Sequence, residues 1–195
     1  MRASRNKRPA LSNASSFTRS TCTMPSIFFR RIAAYLIDIL ILFVVLAPLG
    51  GLVQFALGIW PTTPQEIYAT LLLNFSIPAW AYFTLSDRSI RGATIGKRLL
   101  KIQTDASPTG RIGTGQALAR TAVKMLPWEL THASMFLFAA PDFTVELANG
   151  VGVGVTYALS FLYLVLAWRS DGRRSLHDLL TRTQVTPASS STVAT

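Results

Sequence analysis

One stretch decides the fold of this chain: RRIAAYLIDILILFVVLAPL, residues 30–49. Its only charges are the two arginines at its start and one aspartate, Asp38. An ionised carboxylate at the centre of a bilayer costs about 2.5 to 3.5 kcal/mol on insertion scales. A carboxylate in such a run is therefore kept only where it is paired, hydrated, protonated or functional.

Three polar residues share one face of the helix that this run predicts. Arg31, Tyr35 and Asp38 stand at i, i+4 and i+7, with the arginine about 10 Å along the axis from the aspartate. That face must meet protein or water, so we expect Asp38 to be ionised and partnered by Arg31. Three roles for Asp38 stay open: a structural hydrogen-bonding group, a cation or proton site, and a dimer contact.

The composition is that of a membrane protein. Half of the 195 residues are hydrophobic and only 14% are charged, with a mean hydropathy of +0.36, which is too apolar for a soluble domain of this size. Four segments are candidate spans, at about residues 32–57, 67–85, 125–140 and 147–168. The predicted fold class is all-α, an integral membrane bundle of four transmembrane helices.

The positions of the basic residues predict the orientation of this bundle. If both termini are cytoplasmic, all 19 Lys and Arg lie inside, with eight of them in the 86–124 loop. The two short external connections then hold Glu66, Asp142 and Glu146 and no basic residue. The net charge of +10 is thus explained by topology and by anionic lipid on the cytoplasmic side, and nucleic acid is not an expected partner. The predicted location is the cell membrane, multi-pass.

The two ends of the chain lie outside the predicted transmembrane domain, residues 25–186. Residues 1–24 are rich in Ser, Thr and Arg and are expected to be disordered, as are residues 187–195. Met24 is a candidate natural start, beside a plain disordered tail and a targeting segment. The single Cys22 lies in the first tail, where it has no partner for an intramolecular disulfide.

Two further polar pairs are candidate functional groups. Glu129 and His132 stand at i, i+3 inside the third span, which favours a polar contact to Asp38, a proton relay, or a structural role at the interface. The sequence holds too few histidines and inward glutamates for a di-metal site, so no metal or cofactor is predicted. His177 and Asp178 follow the last span. Asp178 is expected to pair with a loop residue such as Lys97 or Arg98, or His177 is expected to gate by titrating near neutral pH.

Glycines open the fourth span. Gly150 and Gly154 form a small-xxx-small step that permits close helix approach. Its partner is either another span or a second protomer in a homodimer.

Three motifs occur in order along the chain: RIAAYLID at 31–38, GATIGKRLL at 92–100, and RSLHDLL at 174–180 followed by Thr183 and Val185. Together they resemble the RDD family of small polytopic membrane proteins, over roughly residues 26–187. The resemblance implies that the family's arginine and two aspartates are Arg31, Asp38 and Asp178. It also implies a poorly defined molecular function, with transport suspected.

The preferred functional hypothesis is small-cation or small-solute transport, or an accessory role in it. Asp38 is the intramembrane acidic site in this hypothesis and Arg31 its internal competitor, with candidate supporting residues Tyr35, Lys97, Glu129, His132 and His177. The competing hypothesis is a non-transporting accessory or assembly factor that binds a partner subunit and anionic lipid. An enzyme is not predicted, because the sequence offers no convincing nucleophile and base.

The topology can be measured with reporter fusions. Fusions after Glu66 and Asp142 should report an external position, and fusions after Asp105 and Thr186 a cytoplasmic one, because basic residues are retained inside. An external reading at Asp105 would contradict the four-span arrangement.

Overall fold

The computed structural model describes residues 26–107, 110–137 and 146–188. The two predicted tails, apart from residues 187 and 188, lie outside the described residues, as do residues 108–109, the connection at 138–145 and with it the end of the third predicted span. In chain order the elements are α1 (Ile27–Leu57), α2 (Pro64–Leu71), a π-helical turn (Leu72–Ser76), α3 (Ile77–Arg88), α4 (Ile95–Leu99), β1 (Ile102–Ala106), α5 (Thr114–His132), a second π-helical turn (Ala133–Leu137), α6 (Leu147–Arg169), α7 (Leu176–Thr181) and β2 (Thr183–Pro187).

Within the described residues, two helices, α1 and α6, are long and apolar enough to cross a membrane, with 31 and 23 residues. Little of either is buried within the protein: 17% of the most apolar window of α1 and 11% of that of α6. Large apolar side chains such as Leu40, Val44 and Phe161 are instead exposed. An exposed apolar face of this extent is stable only against apolar surroundings.

The second and third predicted spans fall in two helical stretches that each contain a π-helical turn. Residues 64–88 begin with a capping box, in which Thr63 and Glu66 satisfy each other's backbone N–H groups. The π-helical turn ends just before Pro78, whose ring removes a backbone donor from the helix. Residues 114–137 likewise contain Pro127 and end in a π-helical turn.

A small layer, which we call the cap, covers one end of the helices and consists of α4, β1, α7 and β2. The strands β1 and β2 are antiparallel, with Ile102 opposite Pro187 and Ala106 opposite Thr183. The predicted all-α class is therefore wrong in this detail: the fold is mostly helical but carries a two-stranded sheet. Alternate residues of each strand are buried, among them Thr104 and Val185.

Glycines set the distance between the cap and α1. A Cβ at Gly96 would lie 2.2 Å from the carbonyl oxygen of Ala34, so α4 can lie against α1 only with glycine there. Gly172, with a positive φ of +80°, would place a Cβ 2.2 Å from the backbone nitrogen of Phe28. Both ends of the cap are thus held against the start of α1.

In α6 the close helix contact is made by Gly152, not by the predicted step of Gly150 and Gly154. Gly152 is the residue in close contact, since a Cβ there would lie 2.0 Å from Ser134 Oγ. Gly150 and Gly154 have no neighbour within 4 Å of such a Cβ among the described residues. Their face is open to lipid or to a second protomer.

The contact at residue 96 generates a stability prediction. Gly96→Ala should destabilise the protein by about 1–3 kcal/mol, because the added methyl group overlaps the backbone of α1. Gly51→Ala is the matched control: its Cβ meets no described atom, and alanine is favoured by about 1 kcal/mol within a helix. Thermal unfolding in detergent, followed by tryptophan fluorescence, should separate the two, and equal midpoints would contradict the packing argument.

Candidate functional site

A buried ion network joins the cap to the helices, and its central residue is Arg120 of α5. The guanidinium binds both Asp87, at the end of α3, and Asp178 in α7, the latter with Nη2 2.7 Å from Oδ1. Its Nε also donates to Thr183 Oγ1 at 3.2 Å. Arg120 is 1% exposed, and both carboxylates are buried. A buried arginine between two carboxylates ties three elements together.

Arg31 is an outer member of this network. Its Nη2 lies 2.5 Å from Asp178 Oδ2 and 2.6 Å from His177 Nε2, and its Nη1 donates to the Gly172 carbonyl at 3.1 Å. The predicted pairing of Arg31 with Asp38 is wrong, because the arginine turns toward the cap. The structure thus brings together Arg31 and Asp178, two of the three residues of the family motif.

Lys97 of α4 closes the other end of the network. Its Nζ lies 2.7 Å from Asp87 Oδ1 and donates to Thr104 Oγ1 at 2.6 Å. The predicted pairing of Asp178 with Lys97 or Arg98 is therefore wrong. Sequence analysis did not consider Asp87, which is the carboxylate that Lys97 uses.

Asp38 accepts three hydrogen bonds from groups outside its own helix. They come from the Tyr82 hydroxyl at 2.7 Å, the Thr94 hydroxyl at 2.6 Å and the Gly96 backbone N–H at 2.8 Å. The residue is 1% exposed. Tyr35 does not share in this set; its ring stacks near Phe83. The hydrogen bonds of Asp38 therefore link α1 to α3 and to α4.

The protonation of the cap groups follows from burial and charge. Burial alone would raise the pKa of Asp178, but Arg120, His177 and Arg31 hold it well below its usual range. The pKa of Asp87 is also lowered, because Arg120 and Lys97 outweigh its burial. Both carboxylates are thus ionised at neutral pH.

The histidine of the cap is neutral. Burial lowers the pKa of His177 well below its usual value, and although Asp178 opposes this shift, the charges of Arg120 and Arg31 add to it. An arginine can only donate, so Nε2 accepts from Arg31 and the ring proton stands on Nδ1. Titration near neutral pH, which the gating interpretation expects, is not what this environment favours.

Glu129 and His132 lie in a separate polar group. Glu129 accepts from Trp80 Nε1 at 3.1 Å and Ser76 Oγ at 3.3 Å. His132 Nδ1 lies 2.7 Å from the Trp128 carbonyl of its own helix. Neither side chain hydrogen-bonds to Asp38 in the described part of the chain, so a direct relay between the two groups has no contact to support it.

Two cavities of the described part of the chain are placed at opposite ends of the helices. The first, of about 300 Å³, lies beside the cap between α1, α5 and α6, and its wall includes Arg31, Asp38 and Lys124. The second, of about 350 Å³, lies toward the loop before α2 and reaches Asn74 and His132. Trp128 lines both cavities, and its ring centroid is 4.9 Å from that of Phe75.

Sequence analysis missed the centre of the site. Arg120 stands opposite the apolar stripe of α5, which predicts an interfacial position, yet it is buried. The usable signal was the presence of charged residues next to the predicted spans: Asp87 follows the second span and Arg120 precedes the third. No group of three or more His, Cys, Asp or Glu in the described ranges is arranged to hold a metal ion.

Long helices with exposed apolar faces and a basic, ion-paired cap indicate a membrane protein. The RDD family profile matches residues 25–182, and the chain belongs to this family. The suspected resemblance is thereby confirmed. Comparisons with curated proteins and with solved structures found no match.

The pairing of Arg31 can be tested by two double-mutant cycles in folded protein. Arg31→Ala combined with Asp178→Asn should show a coupling of about 0.5–3 kcal/mol in the free energy of unfolding. Arg31→Ala combined with Asp38→Asn should be additive to within about 0.5 kcal/mol, since the two side chains have separate partners. A larger coupling in the second cycle than in the first would contradict the network.

Proposed function

We propose that the protein crosses the cell membrane four times with both termini cytoplasmic. Beside α1 and α6, the helical stretches 64–88 and 114–137 are each long enough to span, at 1.5 Å rise per residue. The cap carries Lys97, Arg98 and Lys101 in and beside α4, so its end of the bundle is the cytoplasmic one under the positive-inside rule. The loop at 60–63 then faces outward.

Within this topology we propose that the protein transports a small solute. The observation that supports the proposal is the pair of cavities at opposite ends of the helices, with Trp128 as their shared wall. A solute site that opens alternately to either side needs such a barrier. The π-helical turns at 72–76 and 133–137 lie along the second cavity or beside it, where helices often bend.

The ion network supplies the parts that could rearrange between two states. Asp178 binds two arginines, Arg31 and Arg120, so it can keep one partner while releasing the other. Asp38 offers less to a passing cation, because its three hydrogen-bond donors already occupy its oxygens. We therefore favour a small solute over a cation bound at Asp38.

A specific surface favours the accessory role as second candidate. Apolar side chains stand exposed on and near the cap, among them Ile90 at 85%, Leu99 at 63% and Leu180 at 63%. They lie beside basic residues of the same layer, which suits a partner subunit or an anionic lipid surface.

The transport proposal predicts a leak when the shared wall is removed. Trp128→Ala should join the two cavities, so proteoliposomes should admit glycerol at least several-fold faster in stopped-flow light scattering. Trp168→Ala is the matched control, because Trp168 is 75% exposed on α6 and lines neither cavity. Folded Trp128→Ala with a permeability equal to that of the control would count against the proposal.

A further inference from the structure

Lys124 is a half-buried cation that stands apart from the ion network. It lines the cap-side cavity from α5, with Nζ 3.2 Å from the ring centroid of Phe83 and 5.3 Å from that of Tyr35. Its ammonium makes no hydrogen bond and no ion pair with any residue that the structure describes. Cation–π contacts compensate only part of the cost of removing a charge from water.

Cations outnumber carboxylates around this cavity, and among the described residues of its wall Lys124 is the cation without an ion pair. The wall holds four cations, Arg31, Lys97, Arg120 and Lys124, and one carboxylate, Asp38. Two further carboxylates behind the wall, Asp87 and Asp178, pair with the first three cations. Asp38 accepts its three hydrogen bonds from neutral donors, and none of the described carboxylates forms an ion pair with Lys124.

A second donor on the same wall also lacks a partner. His177 is 7% exposed, and its Nδ1 is buried without a hydrogen bond among the described residues. Because Arg31 donates to Nε2, the proton stands on Nδ1, which makes this nitrogen a free donor. Buried donors of this kind normally have a partner. This nitrogen is closed off from the cavity space, so Lys124 is the donor that can reach a ligand there.

Part of the wall is apolar. Phe28, Ile32, Pro127 and Leu164 face the same space of about 300 Å³, which is the lower end of the size range of small-molecule sites. One charged anchor with apolar walls suits a ligand that has a single charge at one end and an apolar body.

We infer that this cavity binds a singly charged oxyanion carried on an apolar body, with Lys124 as its counterion. The inference deepens the proposed function by naming the class of solute. Two sources share this chemistry: a soluble organic carboxylate, and the phosphodiester of an anionic lipid that enters between α1 and α6.

Binding of hexanoate to the purified protein in a zwitterionic detergent tests the inference without any variant. Titration followed by the fluorescence of Trp128, which lines the cavity, should show saturable binding of hexanoate at least tenfold tighter than that of hexylamine or hexanol. Equal binding of the cation or the alcohol would overturn the anionic assignment.

Variants then locate the site. Lys124→Met should weaken hexanoate at least tenfold, while Lys124→Arg, which keeps the charge, should retain most of the binding. Lys101→Met is the matched control, because Lys101 is exposed beside β1 and lies outside the cavity. Unchanged binding in folded Lys124→Met would overturn the site.

A lipid arm separates the two sources. If the ligand is a lipid, brominated phosphatidylglycerol in nanodiscs should quench tryptophan fluorescence more than brominated phosphatidylcholine does. This excess quenching should vanish in Lys124→Met. Hexanoate binding without this excess identifies a soluble carboxylate, and the absence of both signals overturns the inference. Binding in detergent is independent of the glycerol leak, so failure of this inference and failure of the transport proposal are distinguishable.

Discussion

The arrangement of this protein depends on the guanidinium of Arg120. It stands between two buried carboxylates that come from opposite directions along the chain, Asp87 on α3 and Asp178 on α7. Without it, two ionised groups would face each other in a buried site, where charge repulsion and desolvation are costly. Arg31 and Lys97 attach to the outer oxygens of the same carboxylates. The cap is therefore held by alternating charges rather than by a large apolar core.

The sequence was sufficient to predict the apolar helices and the family, and insufficient for the pairing of charges. Long apolar runs such as residues 147–168 are recognised from their length and composition. The three motifs carry the family resemblance. The partners of Arg120 lie 33 and 58 residues away, and no local pattern specifies such distances. The strands β1 and β2 are too short, at five residues each, for their alternation to stand out.

The case of Asp38 shows where helical geometry stops being informative. Its shared face with Arg31 correctly required that this side meet protein, and the aspartate is indeed buried. Spacing along one helix says nothing about which other segment supplies the donors. Here the donors are Tyr82, Thr94 and Gly96, so the contacts of the carboxylate depend on where α3 and the segment at the start of α4 lie.

The ion pair between Arg31 and Asp178 also constrains the order in which the protein is built. Its two residues are 147 positions apart, so during synthesis the first helix emerges long before its counterion exists. The strand β2, which closes the cap against β1, lies later still in the chain. Because synthesis runs from the N-terminus, Arg31 has no Asp178 to pair with while the helices between them are made. The cap can therefore close only after α7 and β2 have been synthesised.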